Sequence, residues 1–144
     1  MTRSRSLFIA GVAIAGAFML GRALEAQTAG EKSSQRVYEL RTYTANEGKF
    51  EDLHARFRDH TVKLFEKHGM TNVAYWVPAD EPGSRNTLIY VLAHDSREAA
   101  KKNWEAFGKD PAWQKARAAS EENGKLVSKA ESVYMTPTDY SAMK

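Results

Sequence analysis

The chain reads as an α+β protein: a four-stranded, antiparallel-type sheet with its helices on one face, in the order β-α-β-β-α-α-β. Three observations lead to that class. Four separate runs are rich in β-branched and aromatic residues, which favour strands. Stretches with apolar residues at helical spacing lie between them. Glycine or proline marks most junctions, at Gly48, Gly69, Pro78, Gly124 and Pro137. The length of 144 residues leaves room for one domain and a short appendage, and no internal repeat is present.

The appendage comes first. Residues 1–6 hold Arg3 and Arg5 and no acid, residues 7–20 are uncharged, and small residues follow at Gly21, Ala23 and Ala26. This is the layout of a secretory signal peptide over residues 1–26, with cleavage after Ala23 or after Ala26. The arginines are not adjacent, so a twin-arginine signal is not supported. Fourteen helical residues span only ~21 Å against a ~30 Å hydrocarbon core, so export to the periplasm or medium is expected. Membrane attachment follows only if the leader is retained. The polar, aperiodic stretch QTAGEKSSQ, residues 27–35, reads as a flexible linker.

The domain, residues 36–141, opens on a strand in RVYELRTYTA, broken by Gly48. A helix is expected over residues 49–68, with Phe50, Leu53, Phe57, Leu64 and His68 on one stripe and Gly69 in the left-handed position after its last turn. TNVAYWV is the second strand and Pro78 stops it. After the turn-rich PADEPGSRN comes TLIYVLAH, apolar or aromatic at nearly every position. A helix follows with Ala100, Trp104 and Phe107 on one side, Asp95 as its cap and Glu98 three residues on. Asp110 caps the next helix, Pro111 suits its first turn and Gly124 its end. The last strand is expected over residues 126–135.

Helices on one face leave the other face of such a sheet open. Residues 87–93 carry no charge on either side, which suits burial on both faces. A second copy is the simplest cover, and a homodimer with sheets facing each other is expected.

Charge and motifs exclude several functions. The net charge is +3, but three of the 21 basic residues and one of the 18 acidic ones lie in the first 26, leaving 18 against 17. A nucleic-acid-binding surface therefore has no compositional support. There is no cysteine, hence no disulfide, lipoprotein anchor or thiol chemistry. No H-x-x-x-H or H-E-x-x-H pair, nucleophile elbow or glycine-rich phosphate loop occurs, so neither a metal nor another cofactor is expected.

Six pieces in order, VYELRTY, FEKHG, YWVP, NTLIYVLAH, the spaced W..F..DPAW and TPTDYS, resemble the NIPSNAP family over residues 37–141. The resemblance implies a ferredoxin-like fold and the dimeric α/β barrel, in agreement with the element order. The barrel superfamily includes cofactor-independent monooxygenases, isomerases and haem-binding enzymes. NIPSNAP proteins are best known without an established reaction, and some mitochondrial ones act as recruitment factors. The export leader departs from that mitochondrial pattern.

Candidate site residues follow from side-chain chemistry. Of the four histidines, His68 suits the helix end and His54 borders the apolar stripe among charged neighbours. His60, about 60° from the stripe's centre, is placed to reach a gap between helix and sheet. His94 ends an apolar strand, a useful position for a proton donor or acceptor, although capping explains it as well. Glu39 and Arg41 share one side of a central strand, where they must pair, reach across the dimer or line a polar cavity. Tyr75, Trp76 and Tyr90 offer aromatic walls with polar tips. Two functions fit these residues. In one, Arg41, His60, Tyr75, Trp76, Tyr90 and His94 line a pocket for a small aromatic or hydrophobic ligand, with His60 or His94 moving protons and Arg41 holding an anionic oxygen. In the other, the barrel is a non-catalytic interaction module.

Overall fold

Strand β1 (Val37–Ala45) runs through the middle of the sheet in a computed structural model that describes residues 36–143. The leader and linker read over residues 1–35 lie outside the described residues. On one side β1 pairs antiparallel with β3 (Thr87–His94), on the other with β4 (Val127–Met135), and β2 (Thr71–Trp76) pairs with the far edge of β3. The strand order is β2-β3-β1-β4, all neighbours antiparallel. This is the ferredoxin-like α+β arrangement.

Alternation along β1 and β3 sends Leu88, Tyr90 and Leu92 to one face, where they join Leu53, Phe57, Phe65, Met70, Phe107 and Leu126 in the main core. Each large apolar side chain fully buried here contributes roughly 1.5–3 kcal/mol. The opposite face gathers Tyr38, Val91 and Ala93 with Leu40 and Val73 against them. Val133 and Trp76 share that face through their pairing with Leu40 and Ile89, and they remain 56% and 51% exposed.

The first helix departs from the expected straight stripe. It begins as α1 (Phe50–Arg56), passes through a π-helical stretch, Phe57–Thr61, and continues as α2 (Val62–Lys67). The buried positions Leu53, Phe57, Thr61 and Phe65 recur every fourth residue. A pure α-helix would rotate such a row by about 40° per step, and the wider π turn cancels the drift. The Thr61 hydroxyl donates to the Arg56 carbonyl at 3.2 Å inside this stretch. The phase change fully buries Phe65, which an ideal α-helix sets beside the stripe, and leaves Leu64 only partly buried against the core.

The remaining helices are α3 (Arg97–Lys109) and α4 (Pro111–Ser120). Ser96, rather than Asp95, caps α3 by accepting the Ala99 N–H at 3.0 Å. Asp110 caps α4 as expected, accepting from the Ala112 N–H at 2.7 Å. Gly69 ends the first helical run at φ +73°, a conformation that strongly favours glycine. The helices leave β4 poorly covered, so Ala130 and Ser132 stay exposed on the helix side, opposite Tyr43 and Arg41. Among the described residues, no helix is long and apolar enough to cross a membrane.

Candidate functional site

Strand alternation places Glu39, Arg41 and Tyr43 of β1 and Tyr90 and His94 of β3 on the helix side of the sheet. Glu39 is 1% exposed and accepts four side-chain hydrogen bonds. Arg41 Nη1 and Ser132 Oγ each donate to Oε1 at 2.6 Å. Trp104 Nε1 donates to Oε2 at 2.6 Å, and His94 Nε2 bonds the same oxygen at 3.0 Å. A carboxylate only accepts, so His94 carries its proton on Nε2, and its buried Nδ1 has no partner. Burial alone would raise the Glu39 carboxyl, but the bonds from His94, Ser132 and Trp104 and the Arg41 charge bring it down to about 2.

The Arg41 guanidinium also donates from Nη2 to the Tyr43 hydroxyl at 3.1 Å and lies 4.3 Å from the centre of the Trp104 ring. Burial opposes its charge, but Tyr90, Tyr43 and Glu39 outweigh that and hold it protonated. Tyr90 is fully buried, and burial with Tyr43 beside it pushes its phenol well above the usual range.

In front of this cluster a cavity of about 360 Å³ opens above the uncovered part of β4. Tyr43, Phe57, Phe65, Trp104, Phe107 and Trp113 supply its aromatic walls. Phe107 and Trp113 lie 4.5 Å apart by ring centres, and Tyr43 meets Phe57 edge-on at 6.1 Å. Thr61 lines it as well, so the π-helical stretch contributes two residues. Charged groups stand around it: Arg56, Arg117, Glu121 and Lys125. Arg56 Nη1 donates to Glu121 Oε1 at 3.1 Å, and Arg117 Nε to Oε2 at 3.1 Å. Burial would raise the Glu121 carboxyl, but these two arginines hold it below its ordinary value. Tyr43 and Trp104 belong to both the cavity wall and the Arg41 contacts, so the buried cluster forms a second layer behind the cavity.

The structure therefore brings Arg41, Tyr90 and His94 together, with Tyr75 against Tyr90, and leaves His60 and Trp76 apart. His60 is exposed, beside a shallow cleft between α1 and α4 with Asp59 and Ala116. Tyr75 stacks on Tyr90 at 5.4 Å, but its hydroxyl turns to Asn72. Trp76 lies on the opposite sheet face, half exposed. His68 bridges to Asp110 through Nε2 at 2.6 Å, fastening the end of α2 to the start of α4. His54 meets the Phe50 ring at 4.4 Å. Among the described residues there is no group of three or more metal-ligating side chains.

Arg56, Tyr43, Trp113 and Thr61 escaped the reading of the sequence as site residues. Their roles depend on partners distant in the chain, such as Glu121 for Arg56, which no local pattern announces. Trp104, on the apolar side of its helix as expected, also hydrogen-bonds Glu39 and faces the cavity.

Several solved structures share this architecture. A NIPSNAP family protein of unknown function from Agrobacterium tumefaciens aligns with TM-score 0.65 and 22% identity over 77% of this chain and 96% of its own. A second protein of that family from the same organism gives TM-score 0.66 at 19% identity, over 76% and 99% of the two chains. An uncharacterised NIPSNAP-like domain protein from Burkholderia xenovorans gives 0.65 at 13%, over 75% and 90%. No curated protein matches this chain in sequence. The family model for NIPSNAP matches residues 38–142, from the start of β1 to beyond β4. The chain belongs to the NIPSNAP family.

Proposed function

We propose that this protein binds a small aromatic or hydrophobic ligand in the cavity between the helices and β4. The observation that carries this reading is the cavity itself: six aromatic side chains line a space of about 360 Å³. Phe57, Phe65 and Phe107 belong to the core as well as facing this space, whereas Tyr43, Trp104 and Trp113 are only partly buried and leave it open. The volume lies in the range of small-molecule sites. Arg41, Tyr90 and His94 stand behind the wall, engaged with Glu39 or buried, which supports a binding role over proton transfer to a ligand.

Thermal unfolding against a panel of small aromatic and quinone-like compounds tests this. A ligand at 100 times its dissociation constant adds about 2.7 kcal/mol. The shift is expected in the unaltered chain and in His60→Ala, and is expected to vanish in Trp113→Ala. A panel without any shift leaves the non-catalytic interaction module as the better description.

The functional unit in this reading is an exported homodimer. The apolar face with Trp76 and Val133 exposed supports a second copy as its cover. Val133→Glu is expected to give a monomer by sedimentation; an unchanged mass would refute that interface. The leader read over residues 1–26 supports export, and fractionation of cells expressing the chain locates it.

A further inference from the structure

The cavity's charges are not balanced, and they narrow the ligand further. Of its four charged lining residues three are cations, Arg56, Arg117 and Lys125, against one carboxylate, Glu121. Arg41, behind the Trp104 wall, is balanced by Glu39 and adds nothing to this excess. Such a rim favours an anion over a neutral or cationic ligand.

Arg56 is the most deeply buried of these cations. Its side chain is 4% exposed, and both of its side-chain bonds leave from one nitrogen, Nη1, to Glu121 at 3.1 Å and Ser120 at 3.4 Å. Its buried Nε has no partner. A guanidinium presents its N–H groups as a planar fork, and the oxygen pair of a carboxylate satisfies one edge of that fork with two parallel bonds. The guanidinium is also 5.2 Å from the centre of the Trp113 ring, so its charge and an aromatic wall are presented together. Glu121 shows that a carboxylate fits there, and Arg117 holds its other oxygen at 3.1 Å. Displaced from Arg56, Glu121 therefore keeps a counter-ion.

We infer that the ligand is an aromatic acid, a flat apolar body carrying one carboxylate, with Arg56 as the anion-binding residue and Glu121 as the internal carboxylate that the ligand displaces. This rests on the cavity being a ligand site. The competing account makes Arg56 only a strut, tying α1 to α4 through Glu121 and Ser120. The two accounts differ in what a ligand's charge does.

The experiment titrates the full chain with 1-naphthoate and with its neutral counterpart 1-naphthamide, followed by calorimetry and tryptophan fluorescence. Naphthoate is expected to bind at least tenfold more tightly. Glu121→Gln, which removes the internal competitor, is expected to strengthen naphthoate several-fold and leave naphthamide unchanged. Arg56→Gln is expected to level the two probes; should that variant not fold, Glu121→Gln carries the test. Equal binding of both probes to the unaltered chain overturns the acid assignment and leaves the aromatic cavity standing. A naphthoate preference that Glu121→Gln does not alter overturns the exchange at Arg56. Binding of neither probe overturns the cavity reading and this one with it.

Discussion

Replacing Glu39 by glutamine tests the buried cluster most directly, because the side-chain shape stays while the charge goes. The carboxylate receives Arg41 and Ser132 on one oxygen and Trp104 and His94 on the other. A glutamine offers one accepting oxygen, and its NH₂ would face two of these four donors. The Arg41 guanidinium would also lose the carboxylate that balances it. Removing one partner of a buried ion pair costs about 3–5 kcal/mol. The carboxyl itself supports a similar figure: its depression from 4.5 to about 2 corresponds to roughly 3 kcal/mol at neutral pH. The folded value lies below the unfolded one, so this stabilisation is fully present above about pH 5 and is lost as pH falls through 4.5 towards 2. Urea unfolding followed by circular dichroism should show a loss of about 3–5 kcal/mol at pH 7. The gap between the two proteins should then shrink as pH falls below 4.5. A loss under about 1 kcal/mol at pH 7, the scale of an ordinary substitution, would refute the account, as would a gap that does not change with pH.

Trp104→Phe removes the Nε1 donor to Glu39 and shrinks the ring that faces Arg41; loss of the bond alone is expected to cost about 2 kcal/mol, the scale of a hydrogen bond to a charged group. Because that bond favours the ionised carboxylate, its loss raises the Glu39 carboxyl, and acid unfolding should begin at higher pH. His60→Ala changes an exposed helix position and is expected to leave stability within about 0.5 kcal/mol by urea titration. Gly69→Ala sets a Cβ at φ +73° and 3.3 Å from Asn103 Nδ2, the nitrogen that donates to the Gly69 carbonyl. A cost of about 1–2 kcal/mol in the same titration is expected.

The element order was legible because each strand and helix is specified by short-range features. Val37, Tyr38 and the β-branched run of TLIYVLAH favour extended chain, Asp110 with Pro111 starts a helix, and Gly69 ends one. The pairing of Glu39 with Arg41 was also within reach, since alternation puts both on one side of a strand and a charge in a sheet centre needs a partner. His60 was harder to place. Reading residues 49–68 as ideal α-helix puts Leu64 on the apolar row and Phe65 beside it, whereas the π stretch carries the row from Thr61 to Phe65 and leaves His60 in solvent.

By itself the sequence determined the α+β class, the main turn positions, the Asp110 cap and the family. Those depend on φ preferences, side-chain alternation and local hydrogen bonds, all of which act over a few residues. Only the tertiary structure decided where the cavity lies. It depends on α3 and α4 leaving β4 uncovered, and on residues as distant as Tyr43, Arg56, Trp104 and Glu121 meeting around one space. No local rule gathers those four. What gathers them is the packing of a π-interrupted helix against a twisted sheet, which sets the gap that the side chains do not fill.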